Sequence, residues 1–462
     1  MKLILLSGGS GKRLWPLSNN FRSKQFLKLL KNDHGGRESM IQRVWGQLKV
    51  RDLAKSTIIS TNKSQVNIIQ SQLGESVEMI VEPERRDTYP AIALAAAYLA
   101  SVKQVGLNEV VVVVPVDSYV NSRFFDLVKE LEDALTATEA NLALVGVMPT
   151  YPSERHGYIV PESNQEHRLV KVGSFREKPT REQALKLIAE GALWNCGVFA
   201  FKLGYVISKL EKHNLPVDYK SLKDEYSALP KISFDYEVVE KARKVIALRY
   251  EGEWKDIGTW KTLSDEISAP VIGNGVLSGD CEGTHLINEL GIPIIVLGLS
   301  NTIVAASPDG ILVSDKETSP KVKDLLKETI QRPMFEERRW GWYRVLDYVK
   351  YENGQEVLTK RIGITAGKNL SYQVHYKRSE IWSITNGEGE LALDDAIFRV
   401  KPGDVFRIPI GVRHGIWAST DLEFIEVQSG RQLIEEDITR IYMTWEEVKG
   451  HCKGRLNLDA IN

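Results

Sequence analysis

The sequence predicts an α/β protein: a mostly parallel, Rossmann-like domain first, then a short β-helix-like linker, then an all-β barrel. Three observations carry that prediction. Over the first half, short apolar β-branched runs alternate with helical patterns, which marks a parallel sheet covered on both faces. After about Ala269 the texture changes to short β segments broken by Gly, Asn and Asp. From about Arg339 the chain turns on glycines at 367, 387, 389, 403 and 411, as in a compact all-β barrel.

The strand-like runs of the first half are KLILLS (2–7), STIISTN (56–62), VEMIVE (77–82), EVVVVVPVD (109–117) and NLALVGV (141–147). The clearest helix between them is YPAIALAAAYLASV (89–102). Ligands on such sheets sit beyond the carboxyl ends of the strands. That edge receives the glycine loop after the first strand and Asp117, which closes the most apolar strand. Residues 270–316 contain VIGNGVLSGD and TIVAASPDGILVSD, the short regular strands of a small β layer or a few coils of a solenoid. A charged helical connector is expected over 317–331, and a charged helical tail from Glu435.

Composition narrows the function. Lys and Arg number 60 against 61 Asp and Glu, so the basic excess of a nucleic-acid binder is missing and any anion site must use local charge. Three scattered cysteines, Cys196, Cys281 and Cys452, show no CxxC spacing and argue against a disulfide framework or a cysteine zinc site. No run approaches the roughly 20 apolar residues of a membrane span. The opening MKLILLSGG enters a glycine loop too soon for a secretory signal. A soluble cytoplasmic enzyme is expected, with neither nucleic acid nor membrane as partner.

Residues 6–16 read LSGGSGKRLWP. A Walker loop would need Gly where Leu6 stands and Ser or Thr where Arg13 stands. A dinucleotide fingerprint would need Gly in place of Leu14. A bare GGSG also suits a plain strand-to-helix turn. The flanks point to an anion: Lys12 and Arg13 follow at once, and SKQF (23–26) brings Lys24.

The stretch resembles the signature of sugar-1-phosphate nucleotidyltransferases, more narrowly the mannose-1-phosphate guanylyltransferases, with a pattern near GGSGxRLWPLS followed by KQF. The resemblance implies that the amides of Gly8, Gly9, Ser10 and Gly11, with Lys12, cradle a phosphate chain. Arg13 would fork onto the pyrophosphate leaving group, and Lys24 would neutralise the α-phosphate under attack. Asp117 in VVPVDSY and Asp256 in WKDIGTW resemble the two aspartates that hold Mg²⁺ in this family. Ser118 stands where the family usually has His. FREKP (175–179) resembles FxEKP, which implies Glu177 on sugar hydroxyls and Lys178 on the sugar phosphate. Asn195 in LWNCGVF and Gly157 in HGYI would complete the sugar pocket, and Asp235 and Tyr236 in FDYEVVEK read as structural. VEPERRDTYPAIALA (81–95) resembles the base-side segment, placing Glu82 and Pro83 by the nucleobase and Arg85 and Arg86 by the phosphates. Asp87 and Tyr89 replace the family's Asn and Ala, which bears on base choice.

Residues 403–414 match the cupin motif GxxxxxPxGxxH, with Gly403, Pro409, Gly411 and His414 in place. Segment 373–382 resembles the QxHxHRxEHW motif of the type II phosphomannose isomerase domain often fused to these transferases. Lys377 and Ile381 replace two histidines. The resemblance implies a divalent metal on Gln373, His375, Glu380 and His414, weakened by a lysine charge at 377, and an isomerase-substrate role for Arg440. Two readings stand for this barrel: a metal-dependent isomerase, or a barrel kept for packing or assembly.

The resemblance divides the chain into a nucleotidyltransferase domain (1–265), a short β linker (270–330) and a cupin (335–445). It implies the reaction of GTP with mannose 1-phosphate to GDP-mannose and pyrophosphate, with Mg²⁺, in a homo-oligomer. The same reaction with another nucleotide or hexose, and isomerisation of mannose 6-phosphate and fructose 6-phosphate in the barrel, are the alternatives.

Overall fold

The computed structural model describes residues 1–9, 11–163, 167–326, 332–435, 437–452 and 454–455; Ser10 and Glu436 lie outside the described residues. The N-terminal half is built on a nine-stranded sheet among those residues. Strand Lys2–Ser7 lies parallel between Thr57–Asn62 and Val110–Pro115, with Met79–Glu82 parallel at the edge. Side chains alternate across this sheet: Leu3, Leu5, Val112 and Val114 enter one core, Ile4, Val111 and Val113 the other. Both faces are covered, so every residue in 110–114 is buried. Helix Phe124–Ala137 shields the first core with Phe124, Phe125, Val128, Leu131 and Leu135. Helix Thr88–Ser101 is buried nearly all round because it lies between the sheet and the helices Leu203–Lys212 and Tyr219–Asp224.

The expectation of a mostly parallel sheet is corrected beyond Val110–Pro115. Strand Leu193–Lys202 runs antiparallel to both Val110–Pro115 and Leu142–Val147. Val245–Tyr250 is parallel to Leu142–Val147, but Leu169–Arg176 and Tyr158–Pro161 close the far edge antiparallel. The sheet is therefore mixed. Helices Arg181–Ala189, Leu203–Lys212 and Tyr219–Asp224 still separate Leu169–Arg176, Leu193–Lys202 and Val245–Tyr250 along the chain, so alternation with helices does not by itself fix strand direction.

Residues 271–315 form short ladders. Val271–Gly273, His285–Asn288 and Thr302–Ser307 pair in parallel, as do Gly275–Leu277 and Ile294–Val296, and Gly310–Asp315 closes antiparallel. The connector helix is short, Val322–Leu325, and residues 327–331 lie outside the described residues.

The C-terminal domain stacks two sheets, each six-stranded among the described residues. Trp382, Phe424, Leu358, Leu391 and Ile416 fill the space between them. Gly389 opens strand Gly389–Leu393 rather than making a turn. The tail is also corrected: Thr439–Tyr442 is a strand paired with Tyr372–Val374, and among the described residues of the tail only Trp445–His451 is helical, capped by Thr444 and Glu447. The charged composition of 435–442 suits an exposed edge strand as well as a helix, and the pairing partner decides.

Candidate active site

The opening strand delivers the glycine loop to the carboxyl edge of the sheet. Gly11 has φ 59°, and a Cβ there would lie 2.6 Å from Ser23 Cα, so only glycine lets the loop pass the SKQF segment. The loop is tied to that segment. Ser23 Oγ donates to the Gly9 carbonyl at 2.7 Å, and Gln65 Nε2 donates to the same carbonyl at 3.1 Å and to Ser23 Oγ at 2.8 Å. Ser18 Oγ donates to the Gly11 carbonyl. The turn Lys12–Leu14 follows; the side chains of Lys12 and Arg13 make no hydrogen bond among the described residues, and Arg13 is exposed beside Asp117.

Lys24 lies at the centre. Its Nζ is 2.7 Å from Asp117 Oδ2 and 3.4 Å from Asp256 Oδ1. A short antiparallel ladder, Ser118–Val120 with Trp254–Asp256, brings the two aspartates together by setting Asp256 opposite Ser118. Burial opposes the charge on Lys24, but Asp117 and then Asp256 outweigh it and raise the pKa. Burial likewise opposes ionisation of Asp117, yet Lys24 and Arg13 hold its carboxyl below the usual range. Two hard oxygen donors that already share one cation are a donor set suited to Mg²⁺.

On one flank is Glu82, 5% exposed, whose Oε2 accepts from Tyr226 Oη at 2.8 Å. Burial raises its pKa to about 7, with Tyr226 and Arg85 opposing. A Cβ on Gly8 would sit 3.5 Å from Glu82 Oε1, so this carboxyl adjoins the glycine loop. Pro83 is exposed beside it. Arg85 reaches the Asn20 carbonyl at 2.9 Å, whereas Arg86 is turned to the Leu229 carbonyl at 3.0 Å and to Glu84. Asp87 caps helix Thr88–Ser101, accepting from Thr88 N at 2.8 Å, and Tyr89 is buried behind it.

The other flank gathers Gly157, Glu177, Lys178, Asn195 and Asp235. A Cβ on Gly157 would lie 2.5 Å from Glu177 Oε2 and 2.6 Å from Phe175 Cζ. The Gly157 carbonyl accepts from Asn195 N at 2.8 Å, and Asn195 Nδ2 donates to Asp235 Oδ1 at 2.9 Å. Lys178 Nζ is 2.7 Å from Glu177 Oε1, and its pKa rises because Glu177 and Asp235 outweigh its burial. Burial and the neighbouring Glu177 raise the Asp235 pKa. His156 lies between this pocket and Asp256, its ring edge-on to Trp194 and Trp254 at 4.7 and 5.5 Å. Reading the sequence does not single out Ser23, Gln65 or Tyr226; Asp235, read as structural, orients the Asn195 amide. Gln65 and Tyr226 carry no local signal, since each meets its partner only through the fold.

In the barrel, His375, Glu380 and His414 converge, with ligand atoms within 4.8 Å of one another and all three side chains buried. His375 Nδ1 bonds to the Asp437 carbonyl and His414 Nδ1 to the Val412 carbonyl at 3.0 Å. A carbonyl only accepts, so each ring donates from Nδ1, and its Nε2 is turned toward Glu380. His414 Nε2 is buried with no hydrogen-bond partner, 3.5 Å from Glu380 Oε2. Burial lowers the His375 pKa to about 4, which keeps its ring neutral. Gln373 Nε2 lies 3.4 Å from His375 Nε2. The cation nearest the triad is Arg378, donating to Glu380 Oε1 at 2.9 Å and to His375 Nε2 at 3.1 Å. The expected repulsion by Lys377 is corrected: its Nζ turns away to Gln432 Oε1 at 2.8 Å. Ile381 is 46% exposed, so neither lost histidine position faces the triad. Arg440 lies on the neighbouring strand, opposite Gln373.

Residues 2–269 match the nucleotidyl transferase family and residues 327–443 the mannose-6-phosphate isomerase C-terminal family. Among similar proteins, the xanthan biosynthesis protein XanB of Xanthomonas campestris pv. campestris (strain B100) is 30% identical over 478 residues, covering 96% of this chain and 98% of its own. The mannose-1-phosphate guanylyltransferase of Escherichia coli is 30% identical over 480 residues, covering 95% of this chain and 98% of its own. A solved structure from Thermus thermophilus, described as a mannose-1-phosphate geranyltransferase, superposes with a TM-score of 0.59 at 28% identity, over 71% of this chain and 98% of that one. The sheet, the loop and the two flanking pockets thus sit in a chain that belongs to the nucleotidyl transferase family, among the mannose-1-phosphate guanylyltransferases that carry a C-terminal mannose-6-phosphate isomerase domain.

Proposed function

We propose that this protein transfers GMP from GTP to mannose 1-phosphate, giving GDP-mannose and pyrophosphate. The observation that carries the reading is the Lys24 ammonium held between Asp117 and Asp256, with a carboxylate pocket on each flank. Phosphoryl chemistry of this kind needs positioning and charge neutralisation more than covalent catalysis. The glycine loop, Lys12 and Arg13 take the phosphate chain, and Lys24 moves from the aspartates to the α-phosphate. Asp117 and Asp256 would hold Mg²⁺, which supplies further neutralisation of the phosphates when bound. Glu82, with Pro83 and Asp87, faces the base; the Asp87 carboxylate can accept from the N1–H and amine of guanine. Arg85 adjoins the phosphates. Gly157, Glu177, Lys178 and Asn195 hold the sugar phosphate, whose oxygen attacks the α-phosphorus in line as pyrophosphate leaves.

A second reading belongs to the barrel. The two imidazole Nε2 atoms turned toward Glu380 support a divalent metal on His375, Glu380 and His414, with Gln373 beside them, in a domain that interconverts mannose 6-phosphate and fructose 6-phosphate. We further take 1–265, 270–330 and 335–445 as the three domains, with the parallel ladders of the second as coils of a short β-helix. Exposed Val276, Ile295 and Leu297 on those coils support a homo-oligomer, and the reaction is assigned to the cytoplasm.

The test is pyrophosphate release across GTP, ATP, CTP and UTP against mannose, glucose and related 1-phosphates. A dominant GTP and mannose 1-phosphate signal is expected. Dominance of another pair would reassign the product and direct attention to residues 82–90.

A further inference from the structure

Between the sugar pocket and Asp256 lies a cluster of rings with no part yet in the transfer reaction. His156 precedes Gly157, and its carbonyl accepts from Lys178 N at 3.3 Å. Its ring stands edge-on to Trp194 at 4.7 Å and to Trp254 at 5.5 Å, with interplanar angles of 74° and 76°. Trp194 adjoins Asn195 in strand Leu193–Lys202. Trp254 and Asp256 are two apart in strand Trp254–Asp256, so they project to one face. The imidazole is thus wedged between the strand that carries the sugar-pocket amide and the strand that carries the second aspartate.

Three nitrogens of this cluster, His156 Nδ1, Trp194 Nε1 and Trp254 Nε1, are buried without a hydrogen-bond partner among the described residues. Buried polar groups are normally paired, so three orphans in one place call for a reason beyond packing. His156 as a whole is only half-buried. Its Nε2 is neither buried nor hydrogen-bonded among the described residues, so this is the polar edge that the ring leaves open.

Asp256, Lys178 and Arg155 are the charges that act on the ring. Burial lowers its pKa; Asp256 opposes, and Lys178 and Arg155 add to the lowering. Near neutral pH the imidazole is therefore uncharged and offers one N–H. Such a donor adds direction without adding a like charge beside Lys178. An ammonium acts as a point charge and tolerates rotation of a phosphate, whereas a ring fixed by two indoles sets one orientation.

We propose that His156 binds the phosphate of the hexose 1-phosphate, its Nε2 N–H donating to a phosphate oxygen held between Lys178 and Asp256. The proposal rests on the transfer reaction assigned to this site. It adds a neutral donor that orients the attacking phosphate for in-line displacement, where Lys178 neutralises it.

The test is steady-state kinetics of the full chain with His156→Gln, His156→Asn and His156→Phe, each substrate varied in turn. Glutamine carries an amide N–H to the reach of Nε2 and asparagine to that of Nδ1, while phenylalanine keeps only a ring. His156→Asn and His156→Phe are expected to raise KM for mannose 1-phosphate about tenfold or more and to leave KM for GTP within about twofold. His156→Gln should stay within about threefold of the parent for both substrates. A parent-like KM for mannose 1-phosphate in the Asn and Phe variants overturns the proposal. So does an equal rise for both substrates, the mark of a distorted pocket. A parent chain that does not turn over GTP and mannose 1-phosphate overturns the assigned reaction instead. Calorimetric titration with mannose 1-phosphate, glucose 1-phosphate and the free sugars then judges His156 alone. Affinity for either ester that falls about tenfold in His156→Phe upholds the contact; affinity unchanged or absent for both esters overturns it.

Discussion

Lys24 shows how much one side chain carries. Its ammonium group lies between Asp117 and Asp256, and a methyl group in its place leaves the two carboxylates without that shared cation. Lys24→Ala is expected to lower the rate of pyrophosphate release by roughly 10²-fold or more, the scale seen when a positioned transition-state contact is lost. Turnover equal to the parent would remove Lys24 from the reaction. Glu82 carries a different prediction. Its folded pKa of about 7 lies above the ordinary carboxylate value, first because it is buried. A raised carboxyl pKa means the folded state holds the proton more tightly, so this contribution to stability is present below about pH 4.5 and is lost as pH rises through about 7. Glu82→Gln keeps an acceptor for Tyr226 and removes the titration. The variant should gain stability on the order of 2 kcal/mol over the parent at pH 8 and none at pH 4, as read from denaturant melts. An equal difference at both pH values would count against a buried, proton-retaining Glu82.

At the scale of elements, the site depends on backbone carried close to other groups. The turn before strand Tyr158–Pro161 passes so near Glu177 and Phe175 that Gly157 has no room for a Cβ. Gly157→Ala must push both side chains outward and with them the Asn195 amide that bonds the Gly157 carbonyl. The KM for mannose 1-phosphate should rise about tenfold or more while the KM for GTP stays near the parent value. A change confined to GTP would place the turn on the wrong side of the pocket. The ladder between Ser118–Val120 and Trp254–Asp256 acts similarly, for it is the register of three residue pairs that sets Asp256 beside Asp117. The FREKP, HGYI and LWNCGVF segments stood out by their motifs, but not as strands with antiparallel partners. Each is too short, and too mixed in hydropathy, to announce its pairing partner.

For the whole molecule, the loop next to Lys24 is also the seam between domains. Arg22, 8% exposed, forks onto Glu289 of the linker at 2.7 and 2.9 Å and stacks 5.3 Å from the Phe335 ring of the barrel. Asn19 reaches Asp309 at 2.6 Å, and Lys28 reaches Glu337 of the barrel at 3.0 Å. Arg22 precedes Ser23, which holds the glycine loop, so Glu289 and Phe335 brace that loop through this segment. Arg22→Ala is expected to cost about 2–4 kcal/mol, since it leaves Glu289 without its partner and empties a packed site. Tm should fall by several degrees with a parallel loss of kcat; an unchanged Tm would show that the seam bears no load.

What the sequence determined by itself was the local part. The β-branched runs, the glycine loop with its adjacent cations, and the cupin spacing from Gly403 to His414 are dictated by propensity, by backbone sterics and by fixed offsets along the chain. What only the tertiary structure decided was every relation across distance. It reversed two strands of the nine-stranded sheet, Leu169–Arg176 and Leu193–Lys202, turned the tail into an edge strand, bonded Tyr226 to Glu82 and Asn195 to Asp235, and put Arg378 rather than Lys377 against the triad. Arg378 opens strand Arg378–Asn386 and is buried, whereas Lys377 stands in the exposed bend before it, so where the strand begins decides which of the two cations meets the triad.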